Sequence, residues 1–200
     1  MLSQLTQLRS TDIYLIDQLM RGRIQPGMRI LDAGSGAGRN LPYFIAQSYD
    51  VSAVDQDPEA IALIQQLAHH HPKKNFRCEA IEAMSFPDNS FHFVISNAVL
   101  HFARNTTHFN AMLNSMWRTL KPGGILFARL ASSIGIEDQI QPLDGQRRYL
   151  LPDGSDRYLV DATQLEQLTE LLNAQLLDPI KTTLVHNQRS MTTWVIAKNT

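Results

Sequence analysis

Short apolar runs and amphipathic stretches take turns along this chain, and they follow two different periods. The runs Met28 to Ala33, Asp50 to Val54, Phe91 to Ser96 and Ile125 to Leu130 are largely apolar, and Asn75 to Cys78 is a shorter candidate strand. That pattern predicts strands covered on both faces. Between them the period lengthens. Ile13, Leu15, Ile16, Leu19 and Met20 form a helical stripe behind Thr11-Asp12, a pair suited to an N-cap. Leu41, Phe44 and Ile45 mark a helix beginning near Asn40, and Asp57-Pro58 caps another that carries Ile61, Ile64, Leu67 and Ala68. Phe109, Met112, Leu113, Met116, Trp117 and Leu120 follow at i, i+3, i+4, i+7, i+8 and i+11, a core-facing stripe stopped by Lys121-Pro122-Gly123-Gly124. Strands alternating with helices predict a parallel sheet with helices on both faces.

The tail changes pattern. Leu165, Leu168, Leu171 and Leu172 predict a last helix, started by Asp161 or by the capping box Thr163…Glu166. Two strands follow, Ile180 to His186 and Thr192 to Ala197, joined through Asn187-Gln188-Arg189-Ser190. A link this short requires an antiparallel hairpin, since parallel neighbours need a crossover.

The chain's 200 residues suit one domain, with 1–27 as an N-terminal helical cap and 132–160 as an insertion or lid. A formal charge of -1 and no basic run beyond Lys73-Lys74 or Arg147-Arg148 give no footprint for nucleic acid. Cys78 is the single cysteine, which fits a reducing compartment. The sequence has neither a secretory h-region nor a run of membrane-spanning length, so a cytoplasmic protein without membrane association is expected. His69-His70-His71 cannot share one helix face and reads as a solvated helix end, with no metal site expected.

Candidate chemistry begins at Ile30-Leu31-Asp32-Ala33-Gly34-Ser35-Gly36-Ala37-Gly38-Arg39-Asn40. A buried strand that turns into a helix through alternating glycines lets main-chain N–H groups approach a ligand. A dinucleotide fingerprint would need glycine where Arg39 stands. Asp55 ends the second strand about twenty residues past the turn, in register to accept from ribose hydroxyls. Asp32, Glu79-Ala80 and Ser96-Asn97 end the other strands, so these groups converge if the sheet forms.

The D-x-G-x-G-x-G turn resembles motif I of the class I S-adenosylmethionine (SAM)-dependent methyltransferases. Gly38-Arg39-Asn40, the run Phe86-Pro87-Asp88-Asn89-Ser90-Phe91, Leu100-His101 and Leu120 to Gly124 resemble the bacterial small-molecule members. The resemblance implies an α/β, Rossmann-like fold with seven mostly parallel strands in the order 3-2-1-4-5-7-6 and an antiparallel C-terminal hairpin. It implies methyl transfer to a small molecule, with SAM as cofactor and S-adenosylhomocysteine as product. A non-catalytic SAM-binding domain and an NAD(P)-dependent oxidoreductase stand as alternatives.

The cofactor-binding residues implied are Asp32, Gly34, Ser35, Gly36, Gly38 and Asn40 around the turn, then Asp55 and Gln56, then Glu79, Ala80 and Ile81, with Asn97 beyond. By resemblance Asp32 reaches the methionyl amino group, and Glu79 accepts from the adenine amine. The family shows Gly-Asp-Ala where Cys78-Glu79-Ala80 stands here, and His92 replaces an acid common at the start of strand four. His101, just past strand four, is the candidate general base, with a plain pocket-wall role as the alternative. Ser96-Asn97-Ala98-Val99 lacks the Asn-Pro-Pro-Tyr type motif of nucleobase and glutamine methylating enzymes, which disfavours those acceptors. Tyr14 and the insertion, with Arg147-Arg148-Tyr149 and Arg157-Tyr158, are placed to cover the acceptor. Arginine beside tyrosine would suit an anionic or aromatic one, and loop surface is the alternative.

Overall fold

A computed structural model describes residues 6–200. The main sheet is built from β1 (Arg29–Ala33), β2 (Asp50–Asp55), β3 (Phe76–Cys78), β4 (Phe91–Asn97), β5 (Leu120–Ala131), β9 (Ala174–Leu176), β10 (Lys181–Val185) and β11 (Arg189–Lys198). Its path runs β3-β2-β1-β4-β5-β11-β10, with β9 paired to β11 as well. Counting only the strands on that path, in chain order, gives the expected 3-2-1-4-5-7-6. The addition is β9. It and β10 lie along the same edge of β11, so the penultimate strand is broken in two around Asp178-Pro179. Proline has no N–H to give to a ladder, which suits an edge break.

β1 pairs in parallel with both β2 and β4, whereas β11 pairs antiparallel with β5 and β10. The hairpin between β10 and β11 turns at His186 and Asn187, both at positive φ (50° and 53°), as a primed turn requires. Helices α1 (Ile13–Met20), α2 (Pro42–Ala46) and α3 (Pro58–Leu67) cover one face, over Ile30, Phe93, Ile95, Phe127 and Val195. Helices α4 (Thr106–Thr119) and α5 (Ala162–Leu171) cover the other, over Leu31, Val94, Leu126, Ala128 and Trp194. Each such fully buried side chain contributes about 1.5–3 kcal/mol. The Trp194 indole N–H donates to Thr169 Oγ1 at 3.0 Å, so its burial leaves no donor unpaired.

Capping follows the sequence closely. Asp12 and Asp57 each accept from a main-chain N–H of the first turn of their helices. At α5 the two alternatives separate: Asp161 caps, accepting from Gln164 N–H at 2.7 Å, and Thr163 lies inside the helix. Lys121 to Gly124 do more than stop α4. They form the irregular start of β5, where Gly123 has φ +75° and a Cβ on Gly124 would lie 2.9 Å from the Lys121 carbonyl oxygen.

Residues 132–160 form a separate three-stranded antiparallel sheet of β6 (Gln141–Pro142), β7 (Arg148–Leu150) and β8 (Asp156–Tyr158). Leu151 and Leu159 seat it on Ala131 and Met191. The N-terminal helix is held at both ends. Ser10 Oγ donates to the Arg39 carbonyl and Asp12 N–H to Asn40 Oδ1, while Arg23 bonds both oxygens of Asp178 on the broken edge strand. Among the described residues no helix is long and apolar enough to cross a membrane.

Candidate active site

The chain leaves β1 toward β2 and returns through β4 on the other side, so a crevice opens at the carboxyl ends of these strands. A cleft of about 490 Å³ lies there. The expected groups Gly34, Asp55, Gln56, Ala80 and Ile81 line it, and so do Glu82, Ala98 and Val99. Phe102, Arg104, His108 and Met112 complete its wall.

Each glycine of the turn has a positive φ, but for different reasons in space. A Cβ on Gly34 would strike Val99 Cγ2 at 2.5 Å, and one on Gly38 would meet Ile64 Cγ1 at 2.8 Å. A Cβ on Gly36 would meet nothing within 4 Å. The first and third therefore serve packing, and the middle one leaves the main chain bare toward open space. Its N–H donates to Asp55 Oδ2 at 2.7 Å, and Asp55 Oδ1 accepts from Asp57 N–H at 3.0 Å. Asp55 thus joins the turn after β1 to the turn after β2. Each carboxylate oxygen keeps a second lone pair free for a ligand.

Asp32 and Asn97 are buried nearby and are not among the residues that line the cleft. Asp32 pairs in register with Ile95, so Asn97, two residues on, shares its side of the sheet. Asp32 Oδ2 and both polar atoms of the Asn97 side chain are buried without a hydrogen-bond partner. Burial pushes the Asp32 carboxyl up to about 7, with Arg39 pulling it down and Asp55 adding to the rise. Buried polar groups are rarely left unpaired, and two such residues at one strand end mark a place built for a polar ligand.

Other expected residues have different work. Ser35 is buried with its N–H on the Val54 carbonyl, 3.1 Å away. The Asn40 carboxamide oxygen holds the Asp12 N–H, so this side chain fastens the N-terminal helix and does not face the cleft. Glu79 is turned aside as well: its two oxygens accept from Ser85 N–H (2.7 Å) and Ser85 Oγ (2.5 Å). The cleft's own acid from this strand end is Glu82, in the one-turn helix Ile81–Ala83. Its Oε1 lies 3.1 Å from His108 Nε2, off the ring N–H axis, and 3.7 Å from Arg104 Nη2.

His101 is buried, and its Nδ1 accepts from the Ala131 N–H at 3.2 Å. That bond takes the lone pair a general base needs and leaves the proton on Nε2. Burial first, then the positive charges of Arg157 and Arg189, lowers its pKa to about 4. The geometry speaks against the expected role: the Nδ1 lone pair is occupied, and His101 is not among the residues that line the cleft. Sequence reasoning also missed Ala98, an alanine held at φ +62° with its N–H on the Arg129 carbonyl. A left-handed alanine costs about 1–2 kcal/mol and has no signature in the sequence. Met112 was legible only as core. It is core, and its side chain also lines the cleft.

A methyltransferase domain model matches residues 31–128, the span that holds β1 through most of β5. Residues 31–128 are thus a methyltransferase domain, similar to those of the class I SAM-dependent methyltransferases. The chain is 32% identical over 123 residues to the uncharacterized methyltransferase YodH of Bacillus subtilis, covering 60% of this chain and 47% of that protein. It is 31% identical over 157 residues to malonyl-[acyl-carrier protein] O-methyltransferase of Serratia marcescens, covering 75% and 58%. The chain spans about half the length of the curated relatives it matches. A SAM-dependent methyltransferase structure from Methanosarcina mazei superposes with a TM-score of 0.70 at 20% identity, covering 90% of this chain and 97% of that one, a likeness of fold.

Proposed function

We propose that this protein transfers a methyl group from SAM to a small-molecule acceptor by in-line displacement. The observation that carries the reading is that Asp55, which lines the cleft, holds the Gly36 N–H of the glycine turn, while the neighbouring strand ends carry Asp32 and Asn97, both buried without a partner. A zwitterionic amino-acid end suits those two side chains. An ammonium beside Asp32 would favour its ionised form, and Asn97 offers both a donor and an acceptor. Asp55 would take the ribose hydroxyls through its remaining lone pairs. Ala80, Ile81 and Met112 would flank the adenine, and Glu82, in place of Glu79, would accept from its amine.

The cofactor supplies a sulfonium-activated methyl group, so the protein's task is alignment and exclusion of water. Orientation of this kind is worth on the order of 7–11 kcal/mol. No general base is required, which agrees with a His101 whose Nδ1 lone pair is taken by the Ala131 N–H. The antiparallel β11 beside β5, and Arg39 in the glycine turn, speak against a nicotinamide enzyme. The acceptor named for the Serratia relative supports a substrate other than nucleic acid, and the formal charge of -1 with the single cysteine supports a cytoplasmic setting without a nucleic-acid partner as parts of the same reading.

The test is turnover. Protein, methyl-deuterated SAM and cell extract are incubated together, and products are searched by mass spectrometry for a gain of one CD3 group. A labelled product that disappears with Asp55→Ala supports the reading. Calorimetry that finds no SAM binding would end it.

A further inference from the structure

We infer that the acceptor is a planar anion, seated against Phe102 and paired with Arg157; this rests on the methyltransferase reading above. Phe102 closes the one-turn helix Leu100–Phe102 immediately after β4 and lines the cleft, yet it is 59% exposed. A large aromatic left open at a cleft wall is a surface for a flat apolar partner. Its other neighbour is a cation: the Arg157 guanidinium carbon lies 4.8 Å from the ring centre.

Arg157 stands apart from the other arginines of the insertion. Arg147 pairs with Asp161 and Arg148 with Asp156, each through its guanidinium. Among the described residues Arg157 makes no ion pair within 4.0 Å, and its one hydrogen bond goes to the Asp156 carbonyl, 2.7 Å away. Arg104 is on the cleft wall itself but has Glu82 at 3.7 Å to offset it, whereas Arg157 meets the cleft through Phe102. A guanidinium with donors to spare, stacked on an exposed ring, presents a charge and a plane together. That combination fits an aromatic carboxylate or phenolate. The neutral His101 next in sequence adds no competing positive charge, and it feels the field of Arg157.

The experiment uses 1-naphthoate as probe, with 1-naphthamide as its neutral counterpart and cyclohexanecarboxylate as the non-planar anion. Each is titrated by calorimetry into the full-length protein, with and without saturating S-adenosylhomocysteine. Naphthoate is expected to bind about tenfold more tightly than naphthamide, as a bond between charged groups outweighs a neutral one. Cyclohexanecarboxylate should bind more weakly than naphthoate. Arg157→Gln should erase the anion preference while leaving S-adenosylhomocysteine affinity unchanged, and Arg157→Lys should restore part of it. Phe102→Leu should weaken both aromatic probes. Equal binding of naphthoate and naphthamide, an anion preference that survives Arg157→Gln, or no naphthoate binding at all would each overturn the inference. Loss of S-adenosylhomocysteine binding counts against the methyltransferase reading instead, and the titration without it still judges the anion site. Thermal melts of each variant identify one that has merely unfolded, in which case Arg157→Lys and Phe102→Leu decide.

Discussion

The Gly36 N–H donates to Asp55 Oδ2 across 2.7 Å, tying the turn after β1 to the carboxylate that ends β2. One acid therefore shapes the glycine turn and faces the ligand. Asp55→Ala should weaken SAM binding by roughly ten- to a hundredfold, since hydrogen bonds to a charged group are worth about 1.5–3 kcal/mol. His101→Ala should weaken it far less. Calorimetry on both variants checks the order, and a larger effect at His101 would refute these roles.

The glycines of the turn should separate by readout. Gly34→Ala places a Cβ 2.5 Å from Val99 Cγ2, so it should lower the melting temperature by several degrees before any ligand is added. The Cβ of Gly36→Val meets no protein atom within 4 Å, so the variant should cost chiefly the strain of φ +50°, about 1–2 kcal/mol, while removing SAM binding. Melting curves and titrations on the pair test this. Unchanged SAM affinity in Gly36→Val would contradict the placement of the ligand over this turn.

Asp32 gives a pH dependence with a definite sign. Its folded pKa of about 7 stands above the ordinary carboxylate value, so the folded protein holds this proton longer than the unfolded chain does. Stability of the free protein should fall as pH rises from about 4 to 7, at roughly 1.4 kcal/mol per unit of difference. Asp32→Asn should flatten that decline. SAM affinity should move oppositely, tightening as pH climbs toward 7 because a cation favours the ionised carboxylate. Denaturant melts and titrations across pH 5 to 8, chosen to bracket that roughly 7 midpoint, measure both trends. Affinity that is flat across this range would show that no cation approaches Asp32.

His101 should titrate near pH 4, with its proton on Nε2 at neutral pH. Its folded pKa is depressed, so the protein loses stability as pH falls below 6.5 toward 4, where the unfolded chain takes the proton first. Ring resonances followed by NMR report the value directly. His101→Ala leaves the Ala131 N–H without its acceptor and should cost about 1–3 kcal/mol. His101→Gln, which retains an acceptor, should cost less. An imidazole that titrates near 6.5 would reopen its candidacy as a base.

Much of this fold could be read from short-range chemistry. Apolar runs bounded by Gly, Pro and Asp located the first four strands to within a residue or two but set the starts of β5 and β11 too late, and Asp12 and Asp57 announced their helices. The 187–190 link dictated an antiparallel pair. These signals depend on neighbours along the chain, and a sequence carries them directly. The glycine turn and Asp55 belong with them, because strand ends and their spacing place both at one crevice.

What only the tertiary structure decided is where side chains of the right chemical type point and what charge they hold. Glu79 and Glu82 are both acids after β3, and Ser85 takes the first while the second reaches the cleft. Asn40 sits in the motif but fastens Asp12, and His101 sits at the right strand end but has its lone pair occupied by Ala131. Among the described residues Arg157 makes no ion pair, whereas the two arginines before it in the insertion found aspartates. Rotamer direction, burial and pKa depend on which groups meet in space, from as near as Ser85 is to Glu79 to as far as Ala131 is from His101, and the apolar and polar pattern carries no record of those meetings.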